Sequence, residues 1–279
     1  MRNLGLLTCL MALLGLLLVQ CGDATEAGAG RGGGGGGDAP ELAVLHGYLY
    51  EFDSPPWMLR PGDPPPTMLP LAGVRVCQLD TDNCTTSDAE GIVKLDVPRT
   101  NEETAFTMEK DGYGSWVYPN VTDEEFHEGH VGPDPTIFPM YTDEHLATIA
   151  EQLGTPYPWR GGMVALIRWV SPHPGVKFIP VGPTVDQVGE SFYWDASTGQ
   201  YSVDATATPQ FLYLTEYPLA EGGFAEVTPG VQQFEFAGTA GVCTHASWAW
   251  PGDAPNRIRV PVLDGYITYG SMRCDDEIP

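Results

Sequence analysis

The chain has 279 residues and carries 13 Lys and Arg against 37 Asp and Glu, a formal net charge of −24. With only three lysines it lacks the clustered cations that grip a phosphate backbone, which excludes a general nucleic-acid binder. Gly (34) and Pro (26) make up about a fifth of the residues, yet 42% are hydrophobic, so the composition calls for many turns around an apolar core and not for disorder.

In chain order, Arg2 followed by the apolar run Leu4 to Val19 reads as a secretory signal over residues 1–20, because the run is shorter than the roughly 20 residues a membrane span needs. It ends in Leu18-Val19-Gln20-Cys21, which resembles the bacterial lipobox, whose cysteine is lipid-modified and becomes the first mature residue. Gln20 stands where that motif usually has Gly, Ala or Ser. The competing reading is ordinary cleavage a few residues on, leaving Cys21 free. Residues 21–41 form a tether: Gly32 to Gly37 run without interruption and no apolar periodicity appears, so the root-mean-square reach is roughly 25 Å. A tether directly after a lipid anchor lifts a domain off a bilayer. Gly22 in place of Asp is compatible with sorting to the outer membrane, so the lipobox resemblance implies a lipid-anchored protein of the bacterial cell envelope with the membrane as its first partner.

Export places Cys77, Cys84, Cys243 and Cys274 in an oxidising compartment. Four cysteines allow three pairings, and proximity favours Cys77–Cys84 and Cys243–Cys274. On the loop-entropy model these contribute roughly 2.5 and 3.7 kcal/mol. Neither spacing contains the CxxC knuckle of a structural zinc site.

From Leu42 onward short alternating runs bounded by Gly, Pro, Asn and Asp predict an all-β protein. The expected strands of the first half are Leu42–Phe52, Gly73–Leu79, Gly91–Val97, Thr104–Lys110 and Ser115–Tyr118, with the Pro-rich segment from Asp53 to Pro70 as an edge loop. A helix follows. Thr142 is its N-cap, Asp143 and Glu144 suit the helix dipole, Tyr141 and Leu146 form a hydrophobic staple, and Gly154 is the stop. With Pro156 and Pro158 beyond it, residues 142–160 read as a joint. The expected strands of the second half are Met163–Val170, Val176–Val181, Glu190–Asp195, Gln200–Asp204, Gln210–Tyr217, Phe224–Val227, Gln232–Phe236, Val242–Trp250, Arg257–Leu263 and Tyr266–Arg273, with a hairpin turn at Asp195 to Gly199.

The ordered set Gly73-Val74-Arg75-Val76, Ser87-Asp88-Ala89-Glu90-Gly91, Val97-Pro98 and Asp111-Gly112-Tyr113 resembles the carboxypeptidase regulatory-like domain over roughly residues 43–118, with Ser87 where Thr is usual. Gly91 supplies the positive φ of the turn and Asp88 a side chain to bond its backbone. Gly223 to Gly230 is a fainter echo of the same pattern. The resemblance implies transthyretin-like, immunoglobulin-like β-sandwiches and a non-catalytic accessory module. The expectation is two sandwich domains, residues 42–141 and 161–279, joined by the short helix.

Candidate chemistry is sparse. His127-Glu128-Gly129-His130 is one residue short of the zincin HExxH, and Pro133 and Pro135 place it in a loop, leaving a metal-dependent hydrolase as a remote alternative. Asp80, Asp82 and Asp88 could gather around calcium, although Cys84, Thr85 and Gly91 stand where an EF-hand needs an oxygen ligand, Gly and Glu. Ser191 lacks the closing Gly of a nucleophile elbow. Trp248 and Trp250, two apart on an expected strand, and Trp57 in the Pro-rich loop are candidate contacts for a sugar ring, the first two competing with a place in the core. The expectation is a non-enzyme without a cofactor, binding an envelope protein or a glycan; a carbohydrate- or calcium-binding module is the alternative.

Overall fold

The computed structural model describes residues 41–52, 68–122, 136–169, 177–195, 198, 200–203, 212–214, 217–237, 242–245 and 248–275. In chain order the first half runs β1 (Leu42–Phe52), β2 (Met68–Pro70), β3 (Arg75–Gln78), β4 (Cys84–Thr86), β5 (Ile92–Pro98), β6 (Glu103–Glu109), β7 (Ser115–Val121), β8 (Thr136–Met140) and helix α1 (Asp143–Leu153). The second half runs β9 (Gly162–Trp169), β10 (Lys177–Pro180), β11 (Ser191–Asp195), β12 (Gln200–Ser202), β13 (Leu212–Leu214), β14 (Tyr217–Val227), β15 (Gly230–Ala237), β16 (Val242–His245), β17 (Trp250–Pro251), β18 (Arg257–Val262) and β19 (Tyr266–Asp275). The fold is all-β with one α-helix among the described residues.

Among the described residues three sheets form layers. The largest has the order β12-β11-β14-β9-β19-β7-β6-β3-β4, with β13 added beside β14 and β16 beside β19. One four-stranded sheet is built on β1, which pairs with β5 and β2 in antiparallel fashion and with β8 in parallel. The other has the order β10-β15-β18-β17.

Side-chain alternation in β9 shows how the layers stack. Met163, Ala165 and Ile167 enter one core with Leu45, Leu49, Leu95 and Trp116, whereas Val164 and Leu166 enter a second core with Phe234, Ile258 and Val260. β19 divides the same way, with Ile267 and Tyr269 on the first side and Met272 on the second. The large sheet is therefore a middle layer covered on both faces. A strand buried on both faces reads as an unbroken apolar run, which is why Met163 to Ile167 shows no polar alternate.

β19 pairs in parallel with β7 on one edge and β9 on the other. The two halves thus share one sheet, and residues 40–279 form one compact unit. This corrects the expectation of two separately packed sandwiches: the strands are arranged in sandwich layers, but the expected boundary at the helix is crossed by main-chain hydrogen bonds.

The helix has the expected ends. Thr142 Oγ1 accepts the amide of His145 at 3.2 Å, and Gly154 closes the helix at φ 67°. Leu146, Ile149, Ala150 and Leu153 are buried in the first core among residues of both halves, and Gln152 Oε1 accepts the amide of Tyr201 at 3.1 Å, so α1 packs onto the common core. At the β4–β5 turn Gly91 has φ 77°, and a Cβ there would meet the Leu49 carbonyl oxygen at 2.5 Å. Any side chain at this position is both strained and blocked.

A shared middle layer predicts a single cooperative unfolding transition in urea, with tryptophan fluorescence and far-ultraviolet circular dichroism coinciding. Leu166→Ala and Ile167→Ala face opposite cores, and each lowers the stability of that same transition by about 2–5 kcal/mol. Two resolved transitions, each sensitive to one substitution, would contradict the shared layer.

Candidate functional site

The alternation of β1 presents chemistry on the outside of its sheet. Ala43, Leu45 and Leu49 point inward and are buried, while His46, Tyr48 and Tyr50 alternate with them and are half-buried; Tyr50 also packs against the first core, and Phe52, next in its series, is buried in that core. Their rings form a row, with centroids 6.4 Å apart for His46 and Tyr48 and 5.8 Å apart for Tyr48 and Tyr50. On the β5 flank the register sets Lys94 opposite His46 and Asp96 opposite Val44, both exposed. On the other flank β8 sets Ile137 opposite Tyr48, 46% exposed. Partial burial and then the charge of Lys94 lower the His46 pKa, so the ring is a neutral member of the row at pH 7.

A second constellation lies inside the first core. Trp116, Tyr141, Tyr201, Glu221 and Tyr269 line a cavity of about 20 Å³. Glu221 is buried, and its Oε1 accepts the Tyr201 hydroxyl at 2.9 Å. Burial, followed by the Glu221 carboxylate, pushes the Tyr141 phenol well above its ordinary value; burial does the same for Tyr118 and Tyr269. A space of this size accommodates about one water molecule.

At the surface, acidic groups clamp strands and turns. Glu109 pairs with Arg75 at 3.2 Å and also accepts the Tyr266 hydroxyl, and Glu51 accepts the Tyr113 hydroxyl. Arg257 bridges Glu235 at 2.9 Å and Asp253 at 3.2 Å, and Arg259 pairs with Glu103. Asp143 at the start of α1 accepts the Tyr157 hydroxyl at 2.6 Å.

The residues singled out in the sequence go to different places. Cys77 and Cys84 are joined by a disulfide across directly opposed positions of β3 and β4. Cys243 is buried and disulfide-bonded, and β16 sets it opposite Cys274 of β19. Asp88 Oδ1 accepts the amides of Glu90 at 3.1 Å and Ile92 at 2.8 Å, which closes the expected turn. Asp80, at φ 60°, and Asp82 are exposed in the β3–β4 turn, which Thr81 holds through its hydroxyl. Among the described residues no three His, Cys, Asp or Glu converge as metal ligands.

Trp248 and Trp250 do not share a face, because the expected strand Val242–Trp250 is interrupted: β16 ends at His245 and Trp248 sits in a turn. Trp248 packs against Tyr118 and Tyr269 in the first core. Trp250 covers Ala105 and Val117 on the other side of the large sheet and donates its indole N–H to the Thr104 carbonyl at 2.7 Å. Neither is placed as one half of an exposed pair of rings. Cys21, Trp57, His127 and His130 lie outside the described residues.

The row on β1 was available in the sequence as every second residue from His46 to Tyr50, and it ends there because Phe52, next in the series, is buried in the first core. It is inconspicuous there because both faces of that strand carry apolar or aromatic residues, and the inner face is identified only by the core it meets.

No protein-family model and no curated protein matches the chain. Among solved structures the Bacillus anthracis TIE protein aligns at 9% identity and a TM-score of 0.21, over 84% of this chain and 34% of that one. The chain thus spans about a third of that structure's length.

Two predictions concern the clamps. Burial first, and then the hydrogen bond to Glu51 or Glu109, raise Tyr113 and Tyr266 to about 12. Their contribution to stability is whole below pH 10, the ordinary phenol value, and is lost as pH rises from 10 through 12. Absorbance titration at 295 nm is expected to show these two phenols ionising near pH 12, with stability falling across that interval and less steeply in Tyr113→Phe. Replacing Cys77 and Cys84 together with Ala is expected to lower stability by about 2.5 kcal/mol, read from urea unfolding; an unchanged midpoint would show that the bridge constrains nothing.

Proposed function

We propose that the chain is a lipid-anchored protein of the bacterial cell envelope that displays β-sandwich layers for binding or scaffolding and performs no catalysis. The observation that carries this reading is the division of labour among its side chains. Asp88 holds a turn, Glu109 and Glu235 hold arginines, and Glu51, Glu109, Asp143 and Glu221 hold tyrosine hydroxyls, whereas the row His46, Tyr48 and Tyr50 is set along one side of β1. A carboxylate committed to a backbone turn or an ion pair is poorly placed to shuttle protons, while half-buried rings tilted along one strand offer contact area. The cavity beside Glu221 has room for a water molecule and none for a substrate.

The likeness of the Gly73 to Tyr113 motifs to the regulatory-like domain supports the same reading, since that resemblance implies an accessory module. So does the order of the N-terminal segment: a lipobox-like Cys21, then a glycine-rich tether, then a compact unit. In this arrangement the first partner is the membrane, reached through the lipid, and the second is an envelope protein or glycan met by the displayed face.

The anchor is tested by fractionation. The wild-type chain is expected in the membrane pellet and to be labelled by a fatty-acid probe; Cys21→Ala is expected in the soluble fraction without label. Membrane association of the Cys21→Ala variant would overturn the anchored reading.

A further inference from the structure

The outer face of the β1 sheet is selective in its chemistry. It combines two phenol rings and a neutral imidazole in a straight row with a cation and a carboxylate on the neighbouring strand, Lys94 and Asp96. The row is straight because positions i, i+2 and i+4 of a strand stand in line on one face.

Each class of guest can be weighed against that face. An apolar peptide laid over it would strip water from an ammonium, a carboxylate and the phenol hydroxyls without replacing their hydrogen bonds. A polyanion approaches a chain of net charge −24 and is repelled. A cationic peptide meets the ammonium of Lys94 directly beside His46. An uncharged saccharide matches every group: its C–H faces lie on the rings, its hydroxyls donate to Asp96, and they accept from Lys94.

The geometry points to a binding site for a linear, uncharged oligosaccharide on His46, Tyr48 and Tyr50, with Lys94 and Asp96 bonding its hydroxyls. The inference rests on the binding reading above and names its ligand class. A row of three rings, with steps of 6.4 and 5.8 Å, suits an extended chain of sugar units lying along β1. The site differs from the candidate pair Trp248 and Trp250, whose rings go to opposite sides of the large sheet.

The test is calorimetric titration of the full chain in detergent with cellotetraose, chitotetraose and maltotetraose. At least one of the three is expected to bind. Tyr48→Ala is expected to weaken that binding at least tenfold, while Tyr48→Phe, which keeps the ring, retains it within about threefold. Asp96→Ala and Lys94→Ala remove exposed side chains without touching the core and are each expected to weaken binding about three- to tenfold, so the site stays testable if Tyr48→Ala fails to fold. Absence of binding by all three sugars, or affinities unchanged in Tyr48→Ala, Lys94→Ala and Asp96→Ala, would overturn the site. Fractionation of Cys21→Ala on the same preparations separates the two readings: release from membranes without sugar binding removes the saccharide and leaves anchored display, whereas retention on membranes removes the anchor whatever the sugars do.

Discussion

The parallel pairing of β19 with both β7 and β9 is the constraint on which the rest of the structure depends. It sews a strand of the first half to a strand of the second, so the middle sheet continues through the point where the sequence places a joint. Parallel neighbours require crossover connections, and here the crossover from β9 to β19 contains an entire covering sheet. Sheet and cover therefore depend on one another. The middle strands are buried only because β10, β15, β18 and β17 pack over one face while β1, β5, β8 and α1 pack over the other.

Several polar groups in and beside the covered layer are paired within the protein. Thr268 is fully buried and donates its hydroxyl to the Pro261 carbonyl at 2.9 Å. Gln232 donates to Gln187 Oε1 at 2.8 Å and to the Thr228 carbonyl at 2.7 Å. Glu221, the one carboxylate buried among the described residues, receives the Tyr201 hydroxyl. Each bond contributes modestly, but its loss would leave a buried group unpaired at a cost of about 1–3 kcal/mol. The polar interior thus helps specify which strands lie side by side.

Pairing within the protein also explains how a chain with so large an excess of acid stays compact. Few cations are available, and Arg75, Arg257 and Arg259 each cross-link strands or loops through carboxylates. Tyrosine hydroxyls serve as partners for other acids, at Glu51, Glu109 and Asp143. Exposed ion pairs contribute about 0–1 kcal/mol each, so their importance lies in register and in local relief of repulsion more than in total stability.

Local chemistry was legible in the sequence. β1 spans the expected residues, α1 has its Thr142 and Gly154 caps, Asp88 and Gly91 make the predicted turn, and Asp195 and Gln200 close the predicted hairpin. Each depends on residues within a few positions of one another. β8 is not predicted from the sequence because Pro139 argues against a strand; Pro139 is tolerated because, among the described residues, β8 is an edge paired with β1 alone. Of β14 the sequence predicts only the two ends, Tyr217 as the last residue of Gln210–Tyr217 and the strand Phe224–Val227, because Pro218 and Gly222-Gly223 look like a break. Gly223 is instead the place where the Val164 carbonyl comes so close that a Cβ would lie 2.0 Å from its oxygen. The sequence by itself determined the β class, the turns and caps, and the excess of acid, because periodicity, backbone preference and charge are local properties. Only the tertiary structure decided that the halves share one layer, that Trp248 and Trp250 part to opposite sides of it, and that His46, Tyr48 and Tyr50 stay half-buried along β1. Alternation along a strand names two faces, and which of them meets a core depends on partners far away in the chain.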